Sequence, residues 1–250
     1  TKFHTCGWHQ LEFKILNMKI AIIGYGKMGR AIEKIAVQEN IEIVCIIDKE
    51  VQEGDLSKAD VSINFSIPSA AVKNILKSFD HKVPVVCGTT GWLDDFDLVK
   101  NYCEKKETAF IYSSNFSFGV NIFFKVNQYL ATLMNKYDSP YKISNEETHH
   151  KDKLDSPSGT ALSLANDIIK KNNRFKNWTT NKSSNGILMT SIRKNKKIGI
   201  HNISFESDFD KIIIQHEAHS RDAFAKGSII AAKWIKNKKG IFKMEDILDF

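Results

Sequence analysis

The chain has 250 residues, 42% hydrophobic and 26% charged, and its 13 Gly and 4 Pro are too few for a collagen-like, linker-rich or low-complexity protein. Its apolar runs, such as Ile20–Ile23 and Ile212–Ile214, fall far short of the roughly 18–20 residues of a membrane-spanning helix. The net charge of +7 rests on 36 Lys+Arg, of which only Arg30, Arg174, Arg193 and Arg221 are arginine; this argues against a base-reading protein, which depends on the guanidinium fork.

Residues 1–17 lack the apolar core of a secretory signal, and Met18 opens the run Met18-Lys-Ile-Ala-Ile-Ile-Gly24. They are read as a non-native or disordered leader. From Met18 the pattern alternates. Strands are predicted over Lys19–Ile23, Ile41–Ile47 (ending at Asp48), Val61–Phe65, Val83–Cys87 and Ala109–Tyr112. Helices are predicted over Lys27–Glu39, Ser69–Phe79 (entered through Pro68) and Asp94–Lys105. Continuous β-branched runs separated by helices imply βαβ crossovers and a parallel sheet buried on both faces.

After Gly119 the pattern changes. A helix over Val120–Lys136 leads to a strand at Tyr141–Ser144, a His-rich loop, and a helix from about Thr160 to Lys171. Strand-like pieces then follow without helices between them: Gly186–Arg193, Lys197–Glu206 and Lys211–Ala218, the last two joined as an antiparallel hairpin at Glu206–Asp210. A final helix spans Ala223–Lys236. The expected fold class is α/β: a Rossmann-type parallel-sheet domain of residues 18–117 and 222–250, and an α+β domain of residues 118–221 with a mostly antiparallel sheet.

Charge and cysteines add two expectations. Between Asp167 and Glu206 there is no acid, while nine basic residues occur: Lys170, Lys171, Arg174, Lys176, Lys182, Arg193, Lys194, Lys196 and Lys197. Such a stretch is either a solvated face or an anion-attracting patch, with Arg193 its member expected nearest a site. Cys6, Cys45, Cys87 and Cys103 show neither CxxC spacing nor short-range pairing, which fits free thiols in a reducing cytoplasm and no metal site.

Two segments carry chemistry. Gly24-Tyr-Gly26-Lys-Met-Gly29 follows a strand and opens a helix, and Asp48 lies 19 residues beyond Gly29 at the next strand end. The glycines permit a tight turn, close approach of backbone to a pyrophosphate, and helix–strand packing; the helix N-terminus offers free N–H groups, and the carboxylate suits a ribose hydroxyl. Asp48 favours NAD, whereas Lys27 and Lys49 would soften its repulsion of the 2′-phosphate of NADP. The second segment is Glu147-Thr-His149-His150-Lys151-Asp152-Lys153-Leu-Asp155-Ser-Pro157-Ser158-Gly159-Thr160-Ala161. Its histidines and lysine can supply protons and positive charge, and the helix start at Gly159 and Thr160 can hold a carboxylate. Taken as chemistry alone, it stays open between such a site, a surface histidine cluster with a helix cap, and a metal site of Glu147, His149 and His150.

This segment resembles the signature of the 4-hydroxy-tetrahydrodipicolinate reductase (dihydrodipicolinate reductase) family. So, in order, do Gly24–Gly29, Gly88-Thr89-Thr90-Gly91, Ser113-Ser114-Asn115-Phe116-Ser117, and the run from His216 through Ser220-Arg221 and Phe224-Ala225 to Gly227. The resemblance spans Met18 to Phe250. It implies NADH- or NADPH-dependent reduction of a cyclic dicarboxylate to tetrahydrodipicolinate in diaminopimelate and lysine biosynthesis, usually by a cytoplasmic homotetramer. It implies that His149 is a proton donor and acceptor, that Lys153 is a proton donor, and that His150, Gly159 and Thr160 bind substrate. It places the dinucleotide along Gly24, Tyr25, Gly26, Lys27, Met28, Asp48, Gly88, Thr89, Thr90, Ser113, Ser114, Asn115 and Phe116. It gives residues 118–221 the substrate-binding and oligomerisation roles, and no metal.

The chain departs from that family in a shorter glycine loop, in Asn64-Phe65-Ser66 where Asp-Phe-Thr is common, and in Lys194-Asn-Lys-Lys197 at a turn that is often glycine-rich. His201, His216 and His219 read as structural or surface histidines, Ser158 as a cap, and the phenylalanines between Phe116 and Phe124 as core. Two other functions share these motifs: a non-catalytic dinucleotide sensor, and a dehydrogenase for another small dicarboxylate.

Overall fold

The computed structural model describes residues 18–136, 141–151, 153, 155–181, 186–195 and 197–249, so the expectations for residues 1–17, Cys6, Asp152, Lys182 and Lys196 lie outside the described residues. The first part of the chain forms β1 (Lys19–Ile23), α1 (Lys27–Gln38), β2 (Glu42–Asp48), β3 (Val51–Gly54), β4 (Val61–Asn64), α2 (Pro68–Asp80), β5 (Val85–Cys87), α3 (Phe96–Lys105) and β6 (Ala109–Tyr112). Then come α4 (Phe118–Asn135), β7 (Lys142–His149), α5 (Gly159–Lys171), β8 (Trp178–Thr179), β9 (Ile187–Arg193), β10 (Gly199–Glu206) and β11 (Lys211–Ala218). The chain closes with α6 (Asp222–Ile235), β12 (Gly240–Phe242) and α7 (Met244–Leu248).

The larger sheet has the order β12-β6-β5-β4-β1-β2-β3. Every neighbouring pair is parallel except β2 with the edge strand β3. Its central strands are apolar because helices cover both faces: Ile20, Ile22, Val61, Ile63 and Val86 are fully buried. Strand order reverses between β1 and β4, the topological switch point beside which α/β sheets hold ligands. α6 returns to this sheet and packs on α1 and β4, and β12 pairs with β6. At Gly227 a Cβ would fall 1.8 Å from the Phe116 carbonyl oxygen, so only glycine lets α6 approach that loop.

The second sheet has the order β11-β10-β7-β9-β8. Its two longest pairings, β10 with β11 and with β7, are antiparallel, and the predicted hairpin is there. β7–β9 and β8–β9 are parallel; α5 carries the chain across the sheet between β7 and the β8–β9 pair. Phe123, Ala131, Ile143, Leu164, Ile168 and Ile203 form the core between this sheet and helices α4 and α5. Among the described residues, no helix is long and apolar enough to cross a membrane.

One expected element differs in kind. The strand predicted to stop at Ser144 runs on to His149, so the first histidine ends a strand and does not lie in a loop. Its polar residues Asn145, Glu147, Thr148 and His149 are buried, with β10 on one side and β9 on the other supplying the ladder.

Candidate active site

The site grows from one face of β7. Side chains alternate along a strand, so Ile143, Asn145, Glu147 and His149 share a face, and all four are buried. Ile143 joins the apolar core. Asn145 Nδ2 donates to the Ala161 carbonyl at 2.8 Å, fixing the first turn of α5. Glu147 Oε1 accepts from the Ser158 N–H at 3.0 Å and from the Ser191 hydroxyl at 2.7 Å. His149, at the strand end, lines a cavity of about 390 Å³.

Cross-strand register supplies the next residue. His201 of β10 pairs directly with Glu147, and its Nε2 lies 3.3 Å from His149 Nε2 and 3.7 Å from Glu147 Oε2. His149 Nε2 is 3.3 Å from the same carboxylate oxygen, and its Nδ1 donates to the Ile198 carbonyl at 3.0 Å. Gly199 makes room for this ring: a Cβ there would lie 3.0 Å from His149 Cε1. Burial opposes ionisation of Glu147, but its contacts with His149, His201, Ser158 and Ser191 outweigh burial and hold the carboxyl well below the usual range. Burial also pushes the His201 ring towards its neutral form, against the opposing pull of Glu147.

The turn after β7 is held by ions and caps. Lys153 Nζ contacts both Asp155 carboxylate oxygens, at 2.7 and 2.9 Å. Arg193 donates to the Lys153 and Asp155 carbonyls at 3.4 and 2.7 Å and lies 3.6 Å from Glu147 Oε1. Of the basic stretch, Arg193 thus approaches the site as expected. Lys197, by contrast, pairs with Glu217 at 2.8 Å, and Lys170 and Lys171 close the last turn of α5. Ser158 is the cap of α5, accepting from the Ala161 N–H at 3.2 Å, and its hydroxyl also meets His201 Nε2 at 3.3 Å. Gly159 is exposed at the helix start, with nothing within 4 Å of a would-be Cβ.

The opposite wall belongs to the parallel sheet. Met28, Gly88, Thr90, Ser114, Asn115 and Phe116 line the cavity that His149, His150, Lys153 and Thr160 line from the other side. A Cβ on Gly88 would meet the Phe65 ring at 2.1 Å, and that ring packs edge-on against Phe116 with centroids 5.9 Å apart. Thr89 and Ser113 act locally: Thr89 Oγ1 accepts from the Ser66 N–H at 2.9 Å, and Ser113 Oγ donates to the Asn115 carbonyl at 2.7 Å.

The glycine loop continues from Met28 away from this cavity. Gly24 has φ +87° and a Cβ there would sit 2.3 Å from the Phe65 carbonyl oxygen, so the tight turn requires glycine. Gly26 is exposed, with open space where a Cβ would be. α1 starts at Lys27 with no side-chain cap and no acid in its first turn, leaving its N–H groups for an external anion. The Tyr25 N–H donates to Asp48 Oδ1 at 3.1 Å, which fixes the exposed carboxylate beside the loop. The Tyr25 hydroxyl donates to Glu33, and the Arg30 guanidinium lies 5.2 Å from the ring centroid. This cradle fits a dinucleotide.

His201 and His216, read from the sequence as structural or surface histidines, stand in the cavity wall; His219 is exposed. No spacing rule reaches His201, because what joins it to Glu147 is strand pairing across more than fifty residues of chain. His216 rests against Phe123, and burial lowers its pKa. Arg221 and Phe224 complete the wall.

Known proteins resemble this chain in sequence and fold. The family model for the N-terminus of dihydrodipicolinate reductase matches residues 18–116, and that for its C-terminus matches residues 119–248. A 4-hydroxy-tetrahydrodipicolinate reductase from Christiangramia forsetii is 45% identical over 234 residues, covering 92% of this chain and 98% of the relative. One from Archaeoglobus fulgidus is 36% identical over 264 residues, covering 93% and 100%. A dipicolinate-bound dihydrodipicolinate reductase from Paenisporosarcina sp. TG-14 has the same fold, with a TM-score of 0.74 at 22% identity over 90% of this chain and 97% of that one. On these matches the chain belongs to the dihydrodipicolinate reductase family.

Proposed function

We propose that this chain reduces 4-hydroxy-tetrahydrodipicolinate to tetrahydrodipicolinate with NADH or NADPH, in the route to diaminopimelate and lysine. The observation that carries the reading is the shared cavity: the end of the parallel sheet forms one wall, and His149, His150, Lys153 and Thr160 form the other.

Gly24, Tyr25, Gly26, Lys27, Met28 and Asp48 hold the dinucleotide, with Gly88 to Thr90 and Ser113 to Phe116 flanking it. When bound, the nicotinamide supplies a hydride. The first N–H groups of a helix have no acceptor within it, so Gly159 and Thr160 take a substrate carboxylate while the Ser158 hydroxyl serves Ala161. His150 adds a polar contact to the substrate. Hydride arriving at a ring conjugated to an imine builds negative charge, which a proton from Lys153 Nζ, or from His149 Nε2 once that ring has itself taken up a proton, quenches.

The same reading assigns residues 18–117 and 222–250 to the dinucleotide-holding domain, supported by the pairing of β12 with β6. Residues 118–221 then form the substrate and assembly domain. Exposed Ile212 and Ile213 on the edge strand β11, with Phe209 in the turn before it, support assembly through the second sheet, as a homotetramer. The free buried thiols of Cys45, Cys87 and Cys103 support a reducing, cytoplasmic setting.

The test generates the substrate in place from pyruvate and aspartate semialdehyde with the preceding synthase, then follows dinucleotide absorbance with NADH and NADPH in parallel. Consumption that depends on both the synthase and this chain is expected. Dinucleotide binding without consumption would replace the reductase with a sensor.

A further inference from the structure

The register that brings β7 and β10 together also aims three ligand-type atoms at one point. Glu147 Oε2, His149 Nε2 and His201 Nε2 lie 3.3, 3.3 and 3.7 Å apart, and all three residues are buried. A zinc-like ion with bonds of about 2.0–2.1 Å and tetrahedral angles holds its ligand atoms roughly 3.3–3.4 Å from one another. Two of the three edges match that figure, and the third is a few tenths longer.

Three further observations point to a cation. His149 Nδ1 donates to the Ile198 carbonyl, which can only accept, so Nε2 is the ring nitrogen left to face the cluster and to coordinate. A backbone carbonyl on the distal nitrogen is the usual support of a metal-ligating histidine. Glu147 is clamped through Oε1 by Ser158 and Ser191, whereas its Oε2, fully buried, has no aligned hydrogen-bond donor among the described residues. A cation seated between that oxygen and that nitrogen would serve both. Finally, His149 and His201 both line the cavity, which leaves a fourth position open to solvent or ligand. Two imidazoles and one carboxylate suit zinc and its borderline neighbours, not calcium or magnesium, which demand oxygen.

We propose that Glu147, His149 and His201 form a binding site for a zinc-class divalent ion, and that occupancy inhibits turnover by taking the His149 Nε2 lone pair. The binding part stands by itself; the inhibitory part rests on the reductase reading.

The test titrates the whole chain with Co²⁺ in a non-coordinating buffer, reads the visible d–d spectrum, and displaces Co²⁺ with Zn²⁺. One ion per chain is expected, with the intense bands of a tetrahedral or five-coordinate nitrogen–oxygen site. His201→Asn and Glu147→Gln, each checked for folding by circular dichroism, should weaken binding by at least the roughly 10–100-fold that follows loss of a ligand's outer partner. His219→Ala should leave it unchanged. Absence of the bands in the wild-type chain overturns the site. So do thiolate charge-transfer bands, which would put the ion on a cysteine, and so does binding that both folded variants keep. Zinc should also stop dinucleotide consumption reversibly, with chelator restoring it; zinc bound at full stoichiometry with an unchanged rate overturns the inhibitory part. A chain that never consumes dinucleotide sinks the reductase reading, while the cobalt spectrum still decides the site.

Discussion

The Ser158 backbone N–H is bound to Glu147 Oε1 at 3.0 Å, so the cap of α5 hangs from a buried carboxylate on β7. Glu147→Gln removes the charge from these contacts and should cost about 2–3 kcal/mol of stability, the usual scale of a hydrogen bond to an ion. The pH sign follows from its depressed carboxyl. The stabilisation is complete above the unfolded value near 4.5 and is lost as pH falls below it. Urea unfolding across the acid range should therefore show a shallower loss for the variant than for the wild type.

Lys153 is engaged by Asp155, and Arg193 holds the backbone carbonyls of both residues. The ammonium is positioned yet only weakly committed, because Asp155 is exposed and surface pairs contribute little. Lys153→Met should lower kcat by about 10²–10⁴-fold, the range of a lost proton donor. Dinucleotide affinity, read by fluorescence titration, should stay close to wild type. Equal loss of both would move Lys153 out of the chemistry.

Asp48 sits exposed, fixed by the Tyr25 N–H, where a ribose hydroxyl is expected. Its carboxylate repels a 2′-phosphate, while Lys49 follows it in the chain and Lys27 lies two residues beyond Tyr25. Asp48→Ala should raise kcat/KM with NADPH relative to NADH by roughly tenfold, the factor of about 1.4 kcal/mol. An unchanged ratio would place the discrimination elsewhere on the loop.

Burial pushes the thiols of Cys87 and Cys103 up to about 12. The reactive species is the thiolate, so both should resist alkylation by iodoacetamide at mildly alkaline pH until the chain unfolds. Peptide mass spectrometry of native and urea-treated samples resolves the sites individually. Rapid native labelling of Cys87 would mean that the β5 region opens far more often than its packing suggests.

Most of the parallel sheet was legible because its strands are uninterrupted apolar runs. β1, β6 and β11 begin and end where the residues alone place them. β3 was not, since Val51–Gly54 is exposed throughout and carries no apolar pattern; it is a strand because the edge of β2 needs a partner. β7 was half legible. Its second half is polar, and local propensity cannot reveal that β9, β10 and the N-terminus of α5 supply partners to Asn145 Nδ2, Glu147 Oε1 and His149. The same limit applies at the site. His149, His150, Lys153, Gly159 and Thr160 lie in one readable segment, whereas His201 joins them only through register.

The pairing of Ala109 with Gly240 has a consequence for how the protein is born. A ribosome releases the glycine loop and six strands of the sheet long before it releases α6 and β12. Until then the β6 edge is bare, and the apolar surface that Ala225, Ile229 and Ala232 will cover stays exposed to the cell. Such late, long-range closure is slow and prone to aggregation. Folding of the nucleotide half should therefore wait for the last part of the chain, and stalled nascent chains should depend on chaperones.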